Sequence, residues 1–153
     1  MPVHHVERIL PYTPDEVFRL VGDVKRYPEF VPWITSLIAT RPVPTPEGGD
    51  RLSAEARVGF SFVNEAFSTR VARDPQARSI TVSLIRGPFR RLENQWRFEP
   101  HPTGVKVIFD IDFEFRSPLL DGLLRANFER AVDKLIGCFE ARAAALYSPS
   151  PGT

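Results

Sequence analysis

The 153-residue sequence predicts an α+β protein of the helix-grip kind, a curved antiparallel sheet wrapped around one long C-terminal helix. Three observations lead there. Between Trp33 and Arg116 short runs of alternating apolar and polar residues are separated by Gly and Pro breaks, the pattern of an antiparallel sheet with one wet face. From Leu120 to Leu146 apolar residues recur at spacings of three and four, which gives a helix one apolar stripe. Two short helical segments follow the first strand. A sheet and a helix with one apolar face each satisfy one another when the sheet curls around the helix.

The elements follow in order. Residues 3–10 (VHHVERIL) read as a strand. In "YTPDEVFRLVGD" Thr13 is the N-cap, Pro14 occupies the first helical position and Glu16 completes a capping box, with Val17, Phe18 and Val21 on one face. Gly22-Asp23 stops that helix. "DVKRYPEFVPWI" gives a second short helical piece that ends at Pro32, because the residue before a proline is pushed towards extended geometry. Strands are expected near 33–41, 50–59, 62–73, 78–86, 91–99 and 104–116. The last has the clearest alternation: Val105, Val107, Phe109, Ile111, Phe113 and Phe115 face one way, and Lys106, Ile108, Asp110, Asp112, Glu114 and Arg116 the other. On the preceding strand Leu92, Asn94, Trp96 and Phe98 share a face. Ser117 caps a helix that begins at Pro118 and, at ~1.5 Å per residue, runs ~43 Å without a break. Residues 1–147 form one domain, and 148–153 (SPSPGT) a disordered tail.

The totals exclude several classes. A chain of this length buries roughly 70% of its unfolded surface, enough for a core without disulfides, and the single cysteine, Cys138, reads as a buried structural thiol. No stretch reaches the ~20 apolar residues of a membrane span, and MPVHHVERIL lacks the regions of a signal peptide. The expected location is therefore cytoplasmic, with peripheral contact to the inner membrane allowed. Lys and Arg total 20 against 19 Asp and Glu, for a net charge of +1 and a pI near 8.0, which argues against a dedicated nucleic-acid domain. No metal is expected: adjacent His4 and His5 point to opposite faces of a strand, and no Cys/His set has zinc spacing. No catalytic residue is expected either. Asp110, Asp112 and Glu114 fall on the outer face, where Arg91 and Arg97 neutralise them across the hairpin, and no titratable pair is evident on inward strand positions.

What remains is an aromatic interior, with 12 Phe in the chain. Taken singly, each ring fills a core as well as it lines a cavity. As a set, with Tyr27, Phe30 and Trp33 held across one end by Pro28 and Pro32, they read as the wall of an apolar ligand cavity. The candidate ligand-binding residues are Tyr27, Phe30, Trp33, Phe60, Phe62, Phe89, Leu92, Asn94, Trp96, Phe109, Phe113, Leu124 and Phe128. Asn94, the one polar residue on its inward face, has two readings: a donor to a ligand head group, or a satisfied core amide.

Three stretches carry a resemblance. "LPYTPDEVFRLVGDVKRYPEFVPW", "GPFRRLENQWRFEP" and "FDIDFEFRSPLL" resemble, in order and spacing from about His5 to Tyr147, the coenzyme Q-binding START-like family within the polyketide cyclase/lipid-transport superfamily. The resemblance implies a non-catalytic protein that binds ubiquinone or another polyprenyl quinone, chaperones it and supports ubiquinone biosynthesis and respiratory electron transport, with no cofactor. It places Tyr27, Pro28, Phe30, Pro32 and Trp33, then Pro88 and Phe89, Trp96, and Phe113, Phe115, Pro118 and Leu119 in the family's signature positions. A lipid ligand implies transient contact with a membrane surface, for which Phe60, Phe62 and Phe89 and the segment Pro118 to Leu124 are candidates. Two alternatives stay open. The related ribosome association toxins bind a ribosomal subunit, for which Lys25, Arg26, Arg86, Arg90 and Arg91 would supply a basic patch. A cyclase or dehydratase on the same fold would need a titratable pair in the cavity.

Overall fold

One antiparallel sheet organises the chain. In this computed structural model the described residues are 3–46, 48–60 and 63–147. The expected tail at 148–153, Phe62, and the side chains of Phe60, Leu124 and Phe128 lie outside the described residues. The strands are β1 (Val3–Leu10), β2 (Ile34–Ala39), β3 (Val43–Pro44), β4 (Asp50–Phe60), β5 (Val63–Asp74), β6 (Ser79–Arg86), β7 (Phe89–His101) and β8 (Gly104–Phe115). Their order is β1-β8-β7-β6-β5-β4-β2, with β3 paired to β4 beyond the end of β2. Every pairing is antiparallel. The short β3 falls in a stretch that reads as loop in the sequence. Pro44 is tolerated there because β3 lies at the sheet margin, where a missing N–H breaks no central ladder.

Helix α1 (Pro14–Gly22) starts as its sequence demands. The Thr13 hydroxyl accepts the Glu16 N–H at 3.1 Å and the Glu16 carboxylate accepts the Thr13 N–H at 2.9 Å. A 3-10 segment, Val24–Glu29, follows. The expected single C-terminal helix is instead two, α2 (Pro118–Ala126) and α3 (Phe128–Leu146). Asn127 breaks it at φ −117° and ψ 17°, with its side-chain amide donating to the Leu123 carbonyl at 2.8 Å. Asn competes for backbone acceptors in this way, and the apolar stripe continues through the break, so periodicity alone does not show it.

The core lies between the concave face of the sheet and helices α1 and α3. Phe98, Val105, Val107, Phe109 and Trp96 from β7 and β8 meet Val17 and Val21 of α1 and Val132, Ile136, Phe139 and Ala143 of α3. Two ion pairs tie α3 to its neighbours: Arg8 to Asp133 at 2.6 Å and Arg142 to Glu29 at 2.7 Å. The hairpin from β7 to β8 turns at Gly104, whose φ of 147° favours glycine and where a Cβ would lie 2.1 Å from the Leu10 carbonyl. Cys138, expected to be buried, is only half-buried, and burial raises its thiol pKa.

Phe98, 2% exposed, carries the core and Thr13 carries only a cap. Phe98→Ala is expected to cost about 3–5 kcal/mol and Thr13→Ala about 1 kcal/mol. Thermal unfolding should separate them, at roughly 2–4 °C of Tm per kcal/mol for a chain of this length. Equal shifts would contradict this division.

Candidate functional site

The concave aromatic residues divide into two groups. The first surrounds Phe139 on α3. Tyr27 and Phe30 each meet its ring edge-on at 5.4 Å, and Trp96 meets it at 5.6 Å. Trp96 also contacts Phe109 at 4.7 Å and stacks near Phe98 at 6.3 Å. The Tyr27 hydroxyl donates to the Val21 carbonyl, and burial raises its phenol pKa well above the usual value, so it remains a donor. The Arg142 guanidinium lies 5.2 Å above Phe30. Tyr27, Phe30, Trp96 and Phe109 are thus brought together as ring-on-ring packing. Trp33 stands outside that group, half-buried, with its carbonyl accepting the Gly59 N–H at 2.8 Å.

The second group lies at the other end of the same face. Phe89, Leu92 and Phe113 are buried, and Phe67, Leu84, Ile111 and Phe115 pack on them while only half-buried themselves. Phe89 stacks on Phe115 at 4.5 Å and meets Phe67 edge-on at 5.4 Å. Two bulges build the group. On β7 Phe89 pairs with Phe115 but Arg91 pairs with Glu114, so one extra residue turns Phe89 to the same face as Leu92. On β6 the register slips between Leu84 and Arg86, which opposes Phe67 to the Gly87 turn; a Cβ on Gly87 would lie 2.5 Å from that of Phe67. Phe89 is 7% exposed. Its expected place at a membrane-facing strand end is therefore corrected: the bulge carries it into the sheet's interior face.

The rim of this second group is fixed by hydrogen bonds. Arg116 donates through its backbone N–H to the Pro88 carbonyl at 2.8 Å and through Nε to the Phe89 carbonyl at 3.1 Å. The Phe115 N–H donates to the Asp121 carboxylate at 3.0 Å, which pins α2 to the end of β8. Helix α2 holds Leu119 74% exposed and Leu123 40% exposed beside that rim. Asn94 lies between the two groups and donates its side-chain amide to the Asp110 carbonyl at 2.9 Å, a satisfied structural contact.

Sequence reasoning missed one feature of the concave face. Asp50 and Arg73 are directly opposed on β4 and β5, and they bond bidentately at 2.7 and 2.8 Å. Arg73 also donates to the Gly22 carbonyl at 2.9 Å. This titratable pair on inward positions corrects the expectation of none. It holds the C-terminus of α1 against the sheet and borders a groove of about 600 Å³ with Phe18, Arg19 and Pro44. The signal was present as an Asp and an Arg at the two strand ends, but no sequence rule pairs them before the register is known.

The outer face holds the expected charge ladder. Arg91 contacts Asp112 at 3.0 Å and Glu114 at 2.7 Å, and Arg97 reaches Asp110 at 3.8 Å. His5 extends it, bonded to Glu7 at 2.8 Å and to Asp110 at 2.5 Å, while His4 stacks on Phe113 on the opposite face. Among the described residues no group of three or more His, Cys, Asp or Glu side chains is placed to hold a metal.

A curved antiparallel sheet closed on a C-terminal helix, with an apolar concave face, defines the START-like helix-grip class. Solved structures bear this out: an 18 kDa protein of Caulobacter crescentus is 54% identical with a TM-score of 0.81, covering 95% of this chain and 98% of its own. The Zhui aromatase/cyclase of Streptomyces shares the fold at a TM-score of 0.76 and 16% identity, over 94% of both chains. The chain belongs to the polyketide cyclase / dehydrase and lipid transport family, whose model matches residues 10–140. Among curated proteins it is 36% identical over 139 residues to the ribosome association toxin RatA of Rickettsia prowazekii, covering 89% of this chain and 92% of that protein. It is 33% identical over 118 residues to the mitochondrial coenzyme Q-binding protein coq10 of Schizosaccharomyces pombe, covering 76% and 71%.

The bonds to Glu7, first, and to Asp110 raise the His5 pKa above 6.5. A raised histidine pKa stabilises the fold below the unfolded value of 6.5, and that contribution fades as pH climbs through the folded value. NMR titration should find His5 above 6.5 and Glu7→Gln should bring it down; an unchanged value in the variant would remove Glu7 as the cause.

Proposed function

We propose that this protein is a non-catalytic carrier of a polyprenyl lipid, ubiquinone or a similar quinone, held at the second apolar group between β5–β8 and α2. One observation carries the reading. Phe67, Leu84, Ile111 and Phe115 form an apolar wall that the protein's own core leaves half-covered, joined to the main core through Ile111 and next to a helix that presents leucines to solvent. Small-ligand sites are apolar, concave and sparse in polar groups, and each methylene of a prenyl tail removed from water contributes about 0.8 kcal/mol. The coenzyme Q-binding relative supports the choice of ligand class. By the same reading the protein supports ubiquinone biosynthesis and respiratory electron transport, and needs no cofactor.

Loading from a bilayer requires contact with it. Leu119 and Leu123 of α2 and the exposed Ile85, with exposed Arg86 and Arg90 nearby, supply an apolar tip with cations at one end of the sheet. Such a surface gives weak, reversible binding to anionic membranes. No helix among the described residues is long and apolar enough to cross a membrane.

A second reading, attachment to a ribosomal subunit, is favoured by the relatives named ribosome association toxin, which match 89% and 94% of this chain. The basic patch first suggested for it is weakened by geometry. Arg91 is held by Asp112 and Glu114, and Arg26 by Asp23 and Glu29.

Organic extraction of the purified protein followed by mass spectrometry tests the lipid reading. The wild type should release a polyprenyl quinone in stoichiometric amount, and Leu84→Asn and Phe67→Ala should release little while keeping the fold by circular dichroism. Wild-type protein that yields no lipid and sediments with ribosomal subunits would replace this reading with the second. For the membrane step, Leu119→Ser/Leu123→Ser protein is expected to stop pelleting with anionic liposomes; pelleting equal to wild type would place the contact elsewhere.

A further inference from the structure

The outer face of the sheet is divided by charge in a way the near-neutral total conceals. On the half formed by β7, β8 and β1, cations face acids: Arg91, Arg97, His5 and Lys106 are engaged by Glu114, Asp112, Asp110 and Glu7. On the half formed by β4, β5 and β6 the pattern is absent. Arg51, Arg57, Arg70 and Arg86 are exposed, and no ion pair or hydrogen bond among the described residues engages their guanidinium groups. The one acid on the outer side of β4 in this half, exposed Glu55, likewise has no ion pair among the described residues.

Register places these arginines on one surface. Arg51, Ser53, Glu55 and Arg57 are alternate residues of β4 and so share a face. Arg70 is directly opposite Ser53, and Ser83 directly opposite Arg70; Ser68 is opposite Glu55, and Arg86 opposite Ser68. Arg51 and Arg57 are about 20 Å apart along the strand, with Arg70 one strand spacing of ~4.8 Å to the side between them. The residues between are mostly small: Ser53, Ala66, Ser68, Ala72, Thr81 and Ser83. Long cationic side chains thus rise from a low floor of hydroxyls and methyls.

One spot on this face is already shaped. A groove of about 260 Å³ is lined by Arg51, Arg70, Thr40, Thr45, Ser53 and Val43. Its floor is held by a reciprocal pair: the Thr40 hydroxyl accepts the Ser53 N–H and the Thr40 N–H donates to the Ser53 carbonyl, both at 2.9 Å. Its rim is a tight loop in which the Thr45 N–H donates to the Gly49 carbonyl at 2.9 Å. Two unengaged guanidiniums over a hydroxyl-lined groove are suited to a phosphate group, which accepts forked hydrogen bonds from arginine.

We propose that the β4–β5–β6 outer face binds the phosphodiester backbone of RNA, with one phosphate seated in the Arg51–Arg70 groove and neighbouring phosphates met by Arg57 and Arg86. Repeated cations on one face match a repeated anion better than a single free phosphate. A bilayer fits less well, because this face is the convex side of a sheet curled around α3, and its exposed aliphatic residues are dispersed, Ile38 and Val43 at the edge and Ile85 at the end of β6. The surface is opposite the concave apolar site and shares with the membrane tip the cation Arg86, while the Arg51–Arg70 groove that the test addresses belongs to this face alone.

Fluorescence anisotropy with a labelled single-stranded RNA across a salt series tests it. With three phosphates neutralised, log K should fall against log salt with a slope of about −2.1, at roughly −0.7 per phosphate. Arg51→Gln/Arg70→Gln protein should lose about 0.7 of that slope and bind more weakly whatever the RNA sequence. Arg130→Gln, an exposed cation on α3, should leave both unchanged. Thermal unfolding confirms that the variants are folded, and the single variant Arg70→Gln should fall midway. Three results would overturn the proposal: no RNA binding at low salt, equal losses from Arg130→Gln and the groove variant, or an arginine-dependent interaction seen with anionic vesicles or inorganic phosphate but not with RNA.

Discussion

The ring of Phe139 is where the two halves of this protein meet. Tyr27 presses on it from the 3-10 segment and Phe30 from the residue that ends it, and Trp96 presses on it from the sheet. The rest of the grip depends on this contact, because α3 has no covalent neighbour in the sheet and must be held by packing. Pro28 within the 3-10 segment and Pro32 just after it limit the path of the chain, so Tyr27 and Phe30 reach α3 with little freedom left to lose. Edge-on aromatic contacts add a directional component to burial, which fixes how α3 lies as well as whether it binds. The ion pairs from Arg8 and Arg142 add weak surface contacts between α3 and its neighbours.

Fastening α3 at that end leaves the other end to different rules. The two bulges turn Phe89 inward and set Phe67 against Gly87, so a second apolar group forms at that end of the face, joined to the main core through Ile111. The break at Asn127 separates the direction of α2 from that of α3, and Asp121 ties α2 to the sheet through the Phe115 N–H instead. One end of the molecule is therefore closed by aromatic packing and the other is bounded by half-covered aromatics and a leucine-bearing helix.

Charge follows the same economy. Where β7, β8 and β1 lie together, acids and bases alternate across strands and satisfy one another; where β4, β5 and β6 lie together, arginines stand over small residues. Isolated surface pairs contribute little to stability, so arginines that have no ion pair among the described residues cost the fold little.

The sequence by itself determined the architecture: the capping box at Thr13, the alternation of β8 and the stripe of α3 are local patterns that burial enforces one residue at a time. It also determined the ladder of Asp110, Asp112 and Glu114, because alternation alone puts them outside. Some candidate residues fell in place by the same logic: Leu92, Trp96, Phe109 and Phe113 face inward as their parity requires. Tertiary structure decided which of them meet. Trp96 and Phe109 join Tyr27 and Phe30 around Phe139, while Leu92 and Phe113 join Phe89, although all lie on one face. It decided the orientation of Phe89, the Asp50–Arg73 pair, the break at Asn127 and the clustering of Arg51 and Arg70. Each of these depends on register, and a single bulge residue reverses side-chain parity without any mark in the composition.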